Sequence, residues 1–464
     1  MKRLSIWIHD HPVLCWAILL AGISLLLRVL LWLYYPPVSY SDTGSYHTLA
    51  SAILSAAKNL SLLKNYDGTR TPGYPAFMAI FGPDRAVYAA QLALGFLITM
   101  GFFYIGWQIT HKPELGFVLG LAHTLNMGQL FFEADLISET VATFWLFLAV
   151  FAAFIWLSFP GRRNFLWLVI MGVATGLATL TRPVYIFMPF WLVLWLGVSW
   201  SKKRLHIDWR PCVGILVPAM LIIGGWTGET YAAHRILGLT TTSGYNLIEH
   251  TSYFFEYVPD KYAAIRDTFI RYRNAKTARV GNPGNVIFEA IPEMMKVSGL
   301  TFYDLSILLE KISIDLIIHH PFLYMRTVIS GWWYFWRAPI YWKPARFAWP
   351  GLVEALKIVA SAERVCLASS NMIFLATTLL AACSKKLRQI WQINNFLWLL
   401  ASAVWVTSIL QTLPDHGDNP RFLVPQQTWV VFWVLWLIYQ TINWIRNKPS
   451  RLAVLNDGQG DAKR

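Results

Sequence analysis

Charge is scarce in this 464-residue chain: 14% of its residues are Asp, Glu, Lys or Arg, against 56% hydrophobic and 16% aromatic. A water-soluble globular domain carries about 25% charged residues, so that class is excluded. Cysteine is nearly absent too. Cys15, Cys212, Cys366 and Cys383 all lie in or at the ends of apolar runs, and the polar segments hold none. That excludes a disulfide-stapled outer domain and any CxxC metal site. No internal repeat or low-complexity tract occurs, and His47, His319, His320 and His416 lack the paired spacing of a metal motif such as HExxH. The apolar runs do not alternate in the way of a membrane β-barrel.

What the chain does have is apolar runs approaching the roughly 20 residues that a helix needs to cross about 30 Å of hydrocarbon. Ten spans are expected, at 13–33, 87–109, 115–132, 138–158, 165–181, 184–199, 212–232, 365–383, 391–411 and 422–445. The first run is too long for a signal-peptide core and has no small-residue cleavage site after it, so it is expected to stay as a span. The net charge of +14 comes from clusters in short polar segments: Lys2 and Arg3; Arg162 and Arg163; Lys202, Lys203 and Arg204; Lys385, Lys386 and Arg388; Arg446, Lys448 and Arg451. With the N-terminus inside, all of them fall on the cytoplasmic side, as the positive-inside rule requires, and nucleic acid is not an expected partner.

This parity divides the chain into an N-terminal membrane module (1–232) with a first outer loop at 34–86, a long outer loop (233–364), C-terminal spans (365–446) and a polar tail (447–464) of disordered composition. Residues 319–339 read as an interfacial helix with Trp332, Trp333 and Trp336 at headgroup level. Residues 350–362, with Glu354 and Lys357, are poorly suited to cross. Asp260 to Arg279 reads as a basic amphipathic helix, a solvated charged face being the commoner explanation and an anionic acceptor the alternative. Arg28, inside the first span, is expected to snorkel outward rather than face an internal cavity.

Four outer segments concentrate polar chemistry. SDTGSYHTLA carries Asp42, Tyr46 and His47, and YDGTRTPGYPAF carries Arg70 and Tyr74; FFEADLISET carries Glu133, Asp135 and Glu139; LTRPVY carries Arg182; PDHGDNPRFLVP carries His416, Asp418 and Arg421. Glu133 and Asp135 read as a solvated turn. The order of an Asp and Tyr after the first span, R-x-PGYP, SET, a TRP turn, a long outer loop and NPRF-x-x-P before the last span resembles the GT-C membrane glycosyltransferases. The branch resembled is that of protein O-mannosyltransferases and lipid A aminoarabinose transferases. The likeness covers about the first 200 residues and the last 50, and RTPGYPAF is its most specific part.

The resemblance implies an all-α polytopic bundle of GT-C type that moves a sugar from a polyprenyl phosphate carrier to a glycan, lipid or protein acceptor. The expected place is the periplasmic face of a bacterial inner membrane. Inverting transfer needs a base behind the anomeric carbon, for which Asp42 is the candidate, and positive charge around the departing phosphate. Arg70, Arg182 and Arg421 suit that task because guanidinium stays protonated and binds phosphate oxygens bidentately. Tyr46, Tyr74 and Glu139 are expected to position substrate. No metal is expected to be obligatory, while Asp42 with Glu139 offers a carboxylate site for a divalent cation.

Simpler readings stand beside these. Asp42 suits an N-cap, the arginines suit headgroup anchors and Glu139 suits a helix N-terminus. Two other functions compete: an O-antigen-type polymerase or ligase, which uses a diphosphate-linked donor, and a flippase or secondary transporter.

Overall fold

A computed structural model describes residues 10–59, 63, 66–159, 164–201, 209–281, 283–338, 340–415 and 420–446. The basic residues Lys2, Arg3, Arg162, Arg163, Lys202, Lys203, Arg204, Lys448 and Arg451, the loop residues His416 and Asp418, and the tail 447–464 lie outside the described residues.

The described chain is all-helical, its one β-like feature being an isolated parallel bridge between Val38 and Asp135. In order the helices are α1 (Pro12–Tyr34), α2 (Ser41–Asn59), α3 (Gly73–Phe81), α4 (Asp84–Thr110), α5 (Pro113–Thr124), α6 (Met127–Phe132) and α7 (Glu139–Ser158). Then come α8 (Phe165–Thr181), α9 (Met188–Ser201), α10 (Val217–His234), α11 (Ser243–Thr251), α12 (Ala263–Val280), α13 (Ile287–Ser298), α14 (Phe302–His319) and α15 (Pro321–Phe335). The last four are α16 (Pro350–Cys383), α17 (Lys385–Ile390), α18 (Asn395–Thr412) and α19 (Val424–Arg446). Proline opens α1, α5, α15 and α16, where its missing N–H costs nothing. Side-chain caps from Asn126, Asn164, Thr301, Ser384 and Asn394 open α6, α8, α14, α17 and α18.

Among the described residues, seven segments are long and apolar enough to cross a membrane: Pro12–Tyr34, Asp84–Thr110, Glu139–Ser158, Cys212–His234, Pro350–Cys383, Asn395–Thr412 and Arg421–Arg446. The other three expected spans correspond to shorter pieces. α8 has 17 residues and α9 has 14. The stretch 115–132 is broken between α5 and α6, where the Asn126 side chain accepts from the Gln129 N–H at 2.9 Å and the Glu363 carboxylate accepts from the Met127 N–H at 2.8 Å.

α16 joins two segments that the sequence reading separated. The boundary expected at 364 falls within one continuous helix of 34 residues. Its first half packs Leu356 and Ala360 against α1 and the segment after it, while Glu363 caps α6. The tryptophans of α15 differ as well. Trp336 is 1% exposed among Phe374 and Trp405, Trp332 donates its indole N–H to Ser408 Oγ at 3.0 Å, and only Trp333 faces outward. α15 runs along α18, so two of the three rings pack into the core.

The main core is built from α4, α7, α8, α9, α15, α16, α18 and α19. A second core, containing Tyr245, Phe255, Phe269, Met294 and Leu309, holds α11 to α14 together as a separate helical unit. There, the basic residues of α12 are neutralised by acids of neighbouring segments: Arg266 by Asp260 at 2.7 Å, Arg273 by Glu256 at 3.0 Å and Lys276 by Glu289 at 2.8 Å. The helix is thus a paired, solvated face.

Arg28 does not snorkel. It is 3% exposed and bonds Glu133 at 2.6 Å and Thr124 Oγ1 at 2.8 Å. Glu133 and Asp135 are 0% exposed, so the solvated-turn expectation is also overturned. The cause is the bridge: Val38 donates to Ala134 O at 3.0 Å, Leu136 donates to Val38 O at 2.9 Å, and Gln91 Nε2 donates to the carbonyls of Glu133 and Asp135 at 2.9 Å each. With its backbone satisfied from both sides, the turn can be buried.

Candidate functional site

Five charged side chains from widely separated segments meet at one end of the bundle. Asp42 lies in the first turn of α2, Arg70 just before α3, Glu139 at the start of α7, Arg182 at the end of α8 and Arg421 in the 3-10 turn before α19. Their termini place them together: each sits where a helix ends at the same side.

They alternate in sign. Arg70 Nη2 is 2.8 Å from Asp42 Oδ1, and Arg421 Nη2 is 2.9 Å from Asp42 Oδ2. Arg421 Nε is 3.2 Å from Glu139 Oε1, which Arg182 Nη1 also reaches at 3.0 Å. Three guanidinium groups against two carboxylates leave one positive charge over. Glu139 is 1% exposed and Arg182 7%, so the pairing occurs largely out of water, where each member would be costly alone.

Asp42 is not the cap of α2. Thr43 Oγ1 accepts from the Tyr40 N–H at 2.9 Å and donates to Leu136 O at 2.9 Å. Both Asp42 oxygens are left to the arginines. Burial pushes its pKa up, but the charges of Arg70 and Arg421 outweigh that and hold it below the ordinary carboxylate range.

The RTPGYP segment explains the placement of Arg70. A Cβ at Gly73 would lie 2.5 Å from Thr181 N and 2.6 Å from Leu180 C, so only glycine lets this segment touch the backbone that leads into Arg182. Arg70 Nε donates to Ser45 Oγ at 3.0 Å, its guanidinium lies 5.3 Å from the Tyr46 ring centre, and the Tyr66 hydroxyl donates to its carbonyl. Tyr46 and Tyr74, both buried, meet edge to face at 5.0 Å and form the floor beneath Arg70. Phe422 does the same for Arg182, at 4.6 Å.

Several members of this region carry no sequence signal of the motif kind. Lys343 donates through Nζ to Ser39 O at 2.8 Å, lies 4.4 Å from the Tyr40 ring centre and donates its backbone N–H to the Tyr35 hydroxyl at 2.8 Å. Tyr341, two residues earlier, packs on Phe132 at 5.5 Å. Segment 340–343 therefore straps the long loop over the first. Beneath it, Asp135 faces the Tyr40 hydroxyl, and burial followed by the nearby charge of Glu139 raises its pKa well above the ordinary range. The only hint was the polar-aromatic run YWK after a tryptophan-rich helix. Of the remaining candidates, His47 lies off the ring, exposed and 3.1 Å from Asp84.

Asp42 and Glu139 share one cationic partner. Arg421 bonds both carboxylates, so a guanidinium lies between them. What the arrangement offers is anion chemistry: three convergent guanidinium groups and one exchangeable carboxylate. No family model matches the chain, and no curated protein or solved structure matches it.

Proposed function

We propose that the chain is a membrane glycosyltransferase that moves a sugar from a polyprenyl phosphate carrier to an acceptor hydroxyl, with the ionic ring as its active site. The observation that carries the reading is the alternating sequence Arg70, Asp42, Arg421, Glu139, Arg182, drawn from five segments to one end of an apolar bundle. A lipid-borne phosphate reaches such a place from the bilayer, and guanidinium groups stabilise the charge that develops as the sugar departs.

Asp42 is the proposed general base, yet held by two arginines it is a weak one, because a depressed pKa means low proton affinity. The donor resolves this. Its phosphate competes for Arg70 and Arg421, and each guanidinium that turns toward the phosphate leaves an Asp42 oxygen free. The base is then unmasked only when donor is bound. Glu139 keeps Arg182 in place during the exchange.

The test is turnover of a panel of radiolabelled polyprenyl-phosphate sugars by purified protein. Asp42→Asn should lower turnover by roughly 10²–10⁴-fold, the ordinary worth of a positioned base. Arg70→Ala should weaken donor use as well. Wild-type turnover in Asp42→Asn removes the base. Release of sugar only from diphosphate-linked donors favours a polymerase or ligase, and carrier movement across liposomes without bond breaking favours a flippase.

A further inference from the structure

Asp135 lies beside the ring without belonging to it. It is 0% exposed, the Tyr40 hydroxyl faces it, and neither of its oxygens has a hydrogen-bond partner of ordinary geometry among the described residues. Four residues on, Glu139 Oε2 is also buried without such a partner, while Oε1 of the same group meets both Arg182 and Arg421. Two neighbouring carboxyl groups withdrawn from water cannot both carry charge cheaply, and the proton settles on the one without a cation against it. Glu139 touches two guanidinium groups, so that one is Asp135.

The charged groups facing Asp135 are Glu139, Lys343 of the strap and Arg421. Lys343 is engaged with Ser39 O and the Tyr40 ring, and Arg421 with Asp42 and Glu139. Glu133, in the same turn, is occupied by Arg28. Tyr35, Tyr40, Tyr74 and Tyr88 complete the surroundings and are uncharged near neutral pH. The ring itself carries three guanidinium groups against two carboxylates. An ionised Asp135 would be the third carboxylate and would cancel the surplus positive charge, in a place where little water screens it.

We infer that the proton on Asp135 sets how tightly the ring holds a phosphate: protonated, Asp135 leaves the surplus charge to the anion; ionised, it neutralises that charge and loosens the anion. Asp135 is thus a positioning residue that acts through the arginines. The inference rests on the reading above only in taking the ring as the seat of a lipid-borne phosphate. Linkage makes the effect reciprocal, so a phosphate entering the ring strengthens the hold of Asp135 on its proton.

The experiment titrates the full-length protein in detergent, with a chelator present, with a polyprenyl methyl phosphate, a phosphodiester whose single charge does not change between about pH 5 and about pH 9. Calorimetry in two buffers of different protonation enthalpy reads both Kd and the protons taken up. For the wild type, Kd should rise roughly tenfold from the acid to the alkaline end, within the span usual for coupled sites, with net proton uptake around the midpoint. Asp135→Asn, neutral at every pH, should keep the tighter Kd throughout and lose that uptake. Lys343→Met withdraws a cation that favours the ionised form, so the transition should move to higher pH. Parallel pH dependence of Kd in wild type and Asp135→Asn, flat or sloping, overturns the inference and leaves the ring as a phosphate site. Should Asp135→Asn not fold, an unmoved transition in Lys343→Met overturns it instead. Absence of binding at every pH removes the phosphate site itself, and the transfer reading falls together with the inference.

Discussion

Two carboxyl groups, Asp42 in the ring and Asp135 beside it, are driven in opposite directions by the same physics. Asp42 and Asp135 are both withdrawn from water, which penalises the charged form of each. Asp42 has guanidinium groups on both oxygens and stays charged; Asp135 has Glu139 for a neighbour and holds its proton well above the ordinary range. The consequences for stability have opposite signs. Asp42 contributes stability above its unfolded pKa and loses it as pH falls through its depressed folded value. Asp135 binds a proton in the folded state that the unfolded chain has already released, so its contribution falls as pH rises from the ordinary carboxylate range toward its raised folded pKa. Asp135→Asn removes that dependence. Compared across pH 5 to 8, the variant should gain on wild type as pH increases, by at most about 1.4 kcal/mol per pH unit, measured by denaturant unfolding. A constant difference between the two would show that Asp135 is ionised throughout.

At the scale of elements, the sequence showed where helices are but not how two of them behave. Apolar runs of sufficient length were legible because a helix in hydrocarbon must satisfy its own backbone. Arg70, Arg182, Arg421, Asp42 and Glu139 were legible because each adjoins a run end, and run ends at one side meet. The burial of Glu133 and Asp135 was not legible: it depends on Val38 and Gln91 from other segments satisfying the turn, and on Arg28 from within α1. Nor was the continuity of α16, since Glu363 meets its partner in a helix break over 230 residues earlier. Gly73 tests the contact that brings two of these elements together. Gly73→Ala must push α3 off the backbone at Leu180 and Thr181, which should cost about 1–3 kcal/mol as overpacking does. Gly22→Ala, with nothing within 4 Å of the new methyl group, should be neutral or slightly stabilising. Equal thermal midpoints for the two variants in detergent would mean that the α3–α8 approach is looser than described.

For the whole molecule, the separate helical unit of α11 to α14 and the ionic ring lie toward the same end of the bundle. His250 Nε2, from that unit, bonds Thr412 O at 2.8 Å at the end of α18, and Thr241 N, just before it, donates to Gly68 O at 2.8 Å in the loop that carries Arg70. The cationic helix α17, with Lys385, Lys386 and Arg388, follows the far end of α16. A charge cluster in a short loop resists translocation, whereas a long loop with paired charges crosses readily. The proposed function predicts that Lys386 and Lys261 lie on opposite sides of the membrane, and both side chains are exposed. In a cysteine-free background, Lys261→Cys should react with an impermeant maleimide in intact cells, while Lys386→Cys should react only after permeabilisation. The reverse pattern would put the ring in the cytoplasm, where a carrier-linked sugar on the outer leaflet cannot reach it. Labelling of both in intact cells would mean that an odd number of crossings between residues 261 and 386 is wrong, and with it the reading of residues 319–339 as a segment that does not cross.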